Sequence, residues 1–163
     1  MKRLSKPMNT VMENLEPQSL WRHFESLSAI PRASEKEEAA RSYVLAQAGR
    51  LGLESTRDGV GNIVIRKPAR PGREGAVKAV LQGHLDMVCE KNEGTHHNFD
   101  TDPIRLVRDG DWLKADGTTL GADNGVGVAA ALAVMESTDC AHGPLEFLFT
   151  IDEESGQIGR AHV

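Results

Sequence analysis

The chain has 163 residues, 39% of them apolar, and a net charge of −5, which suits one ordinary domain with its own core and leaves no room for a second full one. The acidic balance, with no clustered Lys/Arg patch, argues against a nucleic-acid partner, because phosphate binding needs such clusters. Apolar runs such as 76–81 and 126–135 fall short of the roughly 20 residues of a membrane span, and the start, MKRLSKPMNTVMENLEPQ, has no apolar signal core, so a cytoplasmic protein without a membrane partner is expected.

Residues 1–17 read as a polar leader broken by Pro7 and Pro17. LWRHFESLSAI then sets Leu20, Phe24 and Leu27 at helical spacing, with Pro31 as the stop. Ser34 and Glu37 have the spacing of a capping box. SEKEEAARSYVLAQAGRLG continues as a helix with Ala40, Tyr43, Val44, Ala48 and Leu51 on one stripe, closed by Gly52. GNIVIRK alternates like a strand, KPARPGREG is a turn-rich hairpin loop, and AVKAVLQGHLDMV is a mostly apolar strand of the kind buried on both faces. RLVRDGDWLKA predicts a hairpin around Asp109-Gly110. ADNGVGVAAALAVMES follows as a small-residue helix, and LEFLFTIDEE as a second buried strand ending in acids. Helices alternating with apolar strands predict an α/β sheet that binds ligands at the carboxyl ends of its strands. Cys89 and Cys140 are expected as reduced, buried thiols, and Trp21 and Trp112 as core or hairpin-packing residues. His96 and His97, in the polar loop KNEGTHHNFD, are expected in solvent.

Two strands end in ionisable residues: His84 and Asp86 close one, and Asp152, Glu153 and Glu154 close the other. In an extended H-x-D the two side chains share a face. The carboxylate can then bond one imidazole nitrogen and leave the other free for a metal; a purely structural pair would have the same spacing. Asp123, in TTLGADNG, sits at the start of the small-residue helix, where an anion is favoured and an ordinary N-cap fits equally well. Adjacent strand residues point in opposite directions, so Glu153 and Glu154 can serve one site only if the chain turns, as Ser155-Gly156 allow. Two solvated glutamates are the plainer alternative. Taken together, one imidazole and several hard carboxylate oxygens suit zinc, manganese or cobalt.

The strings LQGHLDMV, KNEGTHHNF, GTTLGADNGVGVAAALAVME and HGPLEFLFTIDEESG, in that order, closely resemble the cytosolic aminoacyl-histidine dipeptidases, or peptidase D enzymes, of the two-metal, carnosinase-like metallopeptidase family. SLSAIPRASEKEE and GVGNIVIRKPA resemble the family's start, so the likeness covers roughly residues 18–156. It implies part of a zinc-exopeptidase catalytic domain, a mixed sheet flanked by helices and cut off before the lid domain. It implies that His84 binds one of two divalent metals, Asp86 orients His84, Asp123 bridges both metals, Glu154 binds the second and Glu153 is the general base. Two metals roughly 3.5–4 Å apart can share a water and lower its pKa. A cis peptide at Asp123-Asn124 is implied as well, as are a small peptide substrate and a homodimer for the full-length enzyme.

Members of that family are much longer, and the resemblance places two further metal ligands after residue 163, so this piece alone is expected to be inactive. QIGRAHV, residues 157–163, reads like a translated frame of a sequencing adapter and is expected to be non-native, with a genuine tail as the alternative. Within the same metal-cluster family, tripeptidases and aminoacyl-amidohydrolases remain the alternative, and a non-catalytic fragment is another. A nucleotide-binding loop at GTTLGADNGVG is disfavoured: it lacks the phosphate-loop lysine, and Asp123 would repel a phosphate.

Overall fold

The computed structural model describes residues 10–156. In chain order these form a short 3-10 turn (Thr10–Met12), helices α1 (Gln18–Ser28) and α2 (Glu38–Arg50), and strands β1 (Glu54–Arg57), β2 (Ile63–Lys67), β3 (Ala79–His84), β4 (Leu106–Asp109) and β5 (Trp112–Ala115). Helix α3 (Ala122–Glu136) and strand β6 (Leu145–Thr150) complete the set. The main sheet has the order β1-β2-β6-β3, with β6 antiparallel to β2 and parallel to β3. It is the mixed sheet the resemblance implies.

Strand periodicity divides the sheet into a wet and a dry face. Ile63 and Ile65 of β2 and Phe147 and Phe149 of β6 are fully buried, while their alternates Val64, Arg66, Glu146 and Leu148 are half-buried or exposed. The dry face shares one core with Phe24 and Leu27 of α1, Ala40, Val44 and Ala48 of α2, and Val128, Leu132 and Met135 of α3. The small residues of α3 let it pack closely on both β3 and α1. Gly52, at φ 66°, closes α2, and the N–H of Leu53 returns to the carbonyl of Ala48 at 3.0 Å.

Several expectations are corrected. The loop KPARPGREG, residues 67–75, does not join a hairpin, because β6 inserts between β2 and β3. Nor is β3 buried on both faces. Among the described residues it pairs only with β6, and Val80 is 57% exposed on it. Ser34 and Glu37 form no capping box: α2 starts at Glu38 without a side-chain cap, and both residues bond elsewhere. The β4–β5 hairpin forms with Gly110-Asp111 as its two turn residues, since Asp109 pairs with Trp112. Trp112 is 70% exposed there, so it is no core residue, whereas Trp21 packs against the core. Cys89 is half-buried and Cys140 exposed, not buried as expected. His96 is exposed but His97 is half-buried, its ring 4.5 Å from that of Phe99. Met12 is fully buried, so the leader expected over 1–17 already meets the core there. The expectation for 157–163 lies outside the described residues. Among the described residues, no helix is long and apolar enough to cross a membrane.

Candidate metal centre

Because β3 and β6 run parallel with His84 opposite Thr150, both strands deliver their following residues to the same edge of the sheet. The N–H of Leu85 extends the pairing to the carbonyl of Thr150 at 2.8 Å. Beyond it, Asp86 turns inward with no exposed surface. One carboxylate oxygen, Oδ1, lies 3.3 Å from His84 Nδ1 and accepts the N–H of Glu153 at 3.1 Å. The other, Oδ2, accepts the Ser34 hydroxyl at 2.7 Å and the N–H of Glu154 at 3.0 Å. One buried carboxylate therefore holds both the imidazole and the turn that carries the two glutamates. That turn closes with the N–H of Gly156 on the carbonyl of Glu153 at 3.1 Å.

His84 Nε2 faces outward, 3.1 Å from Asp123 Oδ1 and 3.9 Å from Glu153 Oε2. Asp123 arrives at the start of α3, where Asp123 and Asn124 depart from helical φ/ψ and the peptide between them is cis, as the resemblance implies. The N-cap position is Gly121, with no side-chain cap bond. The carboxylate of Asp123 is thus spent on His84 and not on capping α3. Gly83 allows the approach, since a Cβ there would lie 2.7 Å from Asn124 Oδ1.

The electrostatics follow from one imidazole set among carboxylates. Burial disfavours the charged imidazole, yet hydrogen bonds to Asp86 and Asp123 and the nearby Glu153 charge outweigh it and push His84 up to about 9. Burial also opposes ionisation of Asp86, but bonds from His84, Ser34 and the two glutamate N–H groups hold its carboxyl well below the usual range. Glu154 is pushed up by burial and by the Asp123 and Glu153 charges, partly offset by His84. In this state both ring nitrogens donate, to Asp86 and to Asp123, and a metal would replace the outer proton. His84, Glu153 and Glu154 each offer a ligand atom within 4.8 Å of the others, and Asp123 reaches this group through His84. An imidazole with convergent carboxylates fits a divalent ion of the zinc, manganese or cobalt type.

Asp152, the first of the three acids, turns away. It is buried at φ 57°, and its Oδ1 accepts the N–H of Glu35 at 2.6 Å. Glu37 Oε1 in turn accepts the N–H groups of Asp152 at 3.1 Å and Glu35 at 3.2 Å. Ser34 and Glu37 are therefore supports of the site that the sequence disguised, because S-x-x-E spacing reads as a local cap. Nothing local distinguishes the two uses.

Residues 80–163 match the model of peptidase family M20/M25/M40. The cytosol non-specific dipeptidase of Escherichia coli K12 is 50% identical over 148 residues, 91% of this chain but 30% of that protein. The crystal structure of aminoacylhistidine dipeptidase from Vibrio alginolyticus superposes with a TM-score of 0.88 at 48% identity, covering 91% of this chain and 30% of that one. A tripeptidase from Staphylococcus aureus shares the fold, with a TM-score of 0.68 at 24% identity. The chain spans about 30% of the length of the dipeptidases it matches.

Proposed function

The chain belongs to peptidase family M20/M25/M40, and from that premise we propose that it supplies the general base and part of the metal cluster of a metal-dependent dipeptidase acting on Xaa-His and similar dipeptides. The observation that carries this is that His84, Glu153 and Glu154 offer ligand atoms within 4.8 Å of one another at the shared carboxyl edge of β3 and β6, with Asp123 of α3 joined to them through His84 at 3.1 Å. His84 and Asp123 would hold one ion, and Asp123 and Glu154 a second, with zinc favoured over manganese and cobalt. When bound, the ions would polarise the scissile carbonyl and acidify the attacking water. Glu153, half-exposed beside His84, would take the proton from that water and pass it to the leaving amine. Asp86 would keep the His84 Nδ1 proton in place, so that Nε2 presents its lone pair outward.

Two protein groups per ion fall short of the three that a catalytic zinc usually has, so the 163-residue chain alone should turn over little dipeptide. The proposed setting is the cytoplasm, in keeping with the name of the E. coli relative, and the proposed assembly is a homodimer of the longer enzyme. A chimera tests the activity. Residues 18–156, exchanged for the matching segment of the E. coli dipeptidase, should give a zinc- or cobalt-dependent enzyme that hydrolyses an Xaa-His dipeptide. A folded, metal-loaded chimera without turnover would overturn the proposal.

A further inference from the structure

Arg32 heads the fully buried side chains in size, at 2% exposure, and it carries a charge into the interior. Burying a guanidinium without partners is far costlier than burying hydrocarbon of equal volume, so its contacts bear on why it is there. Nη1 donates to the carbonyls of Leu85 and Asp86, both at 3.0 Å. Nη2 donates to the carbonyl of Gly121 at 2.5 Å. The first two carbonyls lie in the segment that carries His84 and Asp86, and the third lies two residues before Asp123. The backbone of Arg32 is tied to the same segment, its carbonyl accepting the N–H of Met87 at 3.1 Å. Space for the fork is kept by glycines: a Cβ on Gly121 would lie 2.5 Å from Nη2, and one on Gly125 would lie 2.7 Å away.

We propose that Arg32 is a positioning residue of the metal centre: its guanidinium bridges the His84–Asp86 segment to the loop carrying Asp123 and so sets the separation of the ligands an ion meets. The proposal rests on the metal-centre reading above. A planar fork reaches carbonyls on two segments at once, whereas the ammonium of lysine is a single point on a flexible stem. Charge alone therefore does not substitute, and displacing the fork should act like removing it.

The test uses the 163-residue chain with Arg32→Lys, Arg32→Met and Gly125→Ala, the last of which keeps every charge but crowds Nη2. Val44→Ala, in the fully buried stripe of α2, serves as a control that loses stability on a helix that supplies none of the Arg32 hydrogen bonds. Cobalt affinity and the visible cobalt band are measured, together with thermal stability and amide exchange at Met87, Glu153 and Glu154. The three test variants should weaken cobalt binding roughly 10–100-fold, the range for groups that orient metal ligands, and alter the band, while Val44→Ala changes neither at equal loss of stability. Parent-like affinity and band in Arg32→Lys or Gly125→Ala would overturn the proposal; if the Arg32 variants do not fold, Gly125→Ala decides. If the parent chain, with two protein groups per ion, binds no cobalt, binding is read in the E. coli chimera, and a folded chimera that takes up no cobalt would sink the metal-centre reading instead. The bridge is then judged by exchange: acceleration at Met87, Glu153 and Glu154 in Arg32→Lys or Gly125→Ala, beyond that in Val44→Ala, supports it, and its absence refutes it.

Discussion

At Asp86 a fully buried carboxylate is surrounded by donors from β3, from the Ser34 hydroxyl and from the Glu153-Glu154 turn. Asp86→Asn would bring an amide NH2 against groups that also donate, and would remove one of the partners that raise the His84 pKa. The His84 midpoint should fall from about 9 in an NMR titration, and cobalt affinity should drop roughly 10–100-fold; an unmoved midpoint would refute the pairing. The two glutamates should separate in function. In the chimera, Glu153→Gln should lower kcat about 10²–10⁴-fold with metal content intact, as expected when a general base is removed. Glu154→Gln should lower metal content first. Equal metal loss in both would undo the assigned roles. His84 and Asp86 were legible from the sequence because a period of two places both on one face, whatever else the chain does. The supporting roles of Arg32, Ser34 and Glu37 were not, because each is defined by partners more than fifty residues away in the chain.

At the scale of elements, β6 is the centre of the molecule, paired on both sides and buried on the face toward the helices. Phe147→Ala should cost about 3–5 kcal/mol of unfolding free energy in denaturant titrations, the usual loss for a phenylalanine deleted from a close-packed core. A loss below about 1 kcal/mol would mean that the core there is not packed as described. On β3 the situation is reversed. Its outer edge has no partner among the described residues, and Val77 and Val80 are 92% and 57% exposed beside it. Such an edge templates association, and a charge blunts it. The 163-residue chain should therefore self-associate at tens of micromolar, and Val80→Lys should shift it toward monomer in light scattering. No change would clear β3 of the association. The apolar run of β3 led to the expectation of burial on both faces; composition reports what a strand could bury and not what actually covers it.

For the whole molecule, protons and the proposed metal would compete at one place. His84 is raised above its unfolded value, so in chelator it adds stability that is complete below about pH 6.5 and is lost as the pH rises through about 9. Asp86 is depressed, so its contribution is present above the ordinary carboxylate range and is lost as the pH falls through and below it. The metal-free chain should melt highest between those limits. Cobalt needs a neutral imidazole, so its affinity should rise with pH up to about 9 and saturating metal should flatten or reverse the alkaline decline. Parallel melting curves with and without cobalt from pH 6 to 9 would refute the linkage. By itself the sequence determined the periodic helices, the alternating strands, the Gly110 turn and the acids that end two strands, because propensity and side-chain direction act over a few residues. Only the tertiary structure decided that β6 lies between β2 and β3, that Asp123 meets His84 instead of capping α3, and that Ser34, Glu37 and Arg32 brace the site. Pairing order and buried polar bonds depend on which distant segments exclude water together, and no local pattern encodes that choice.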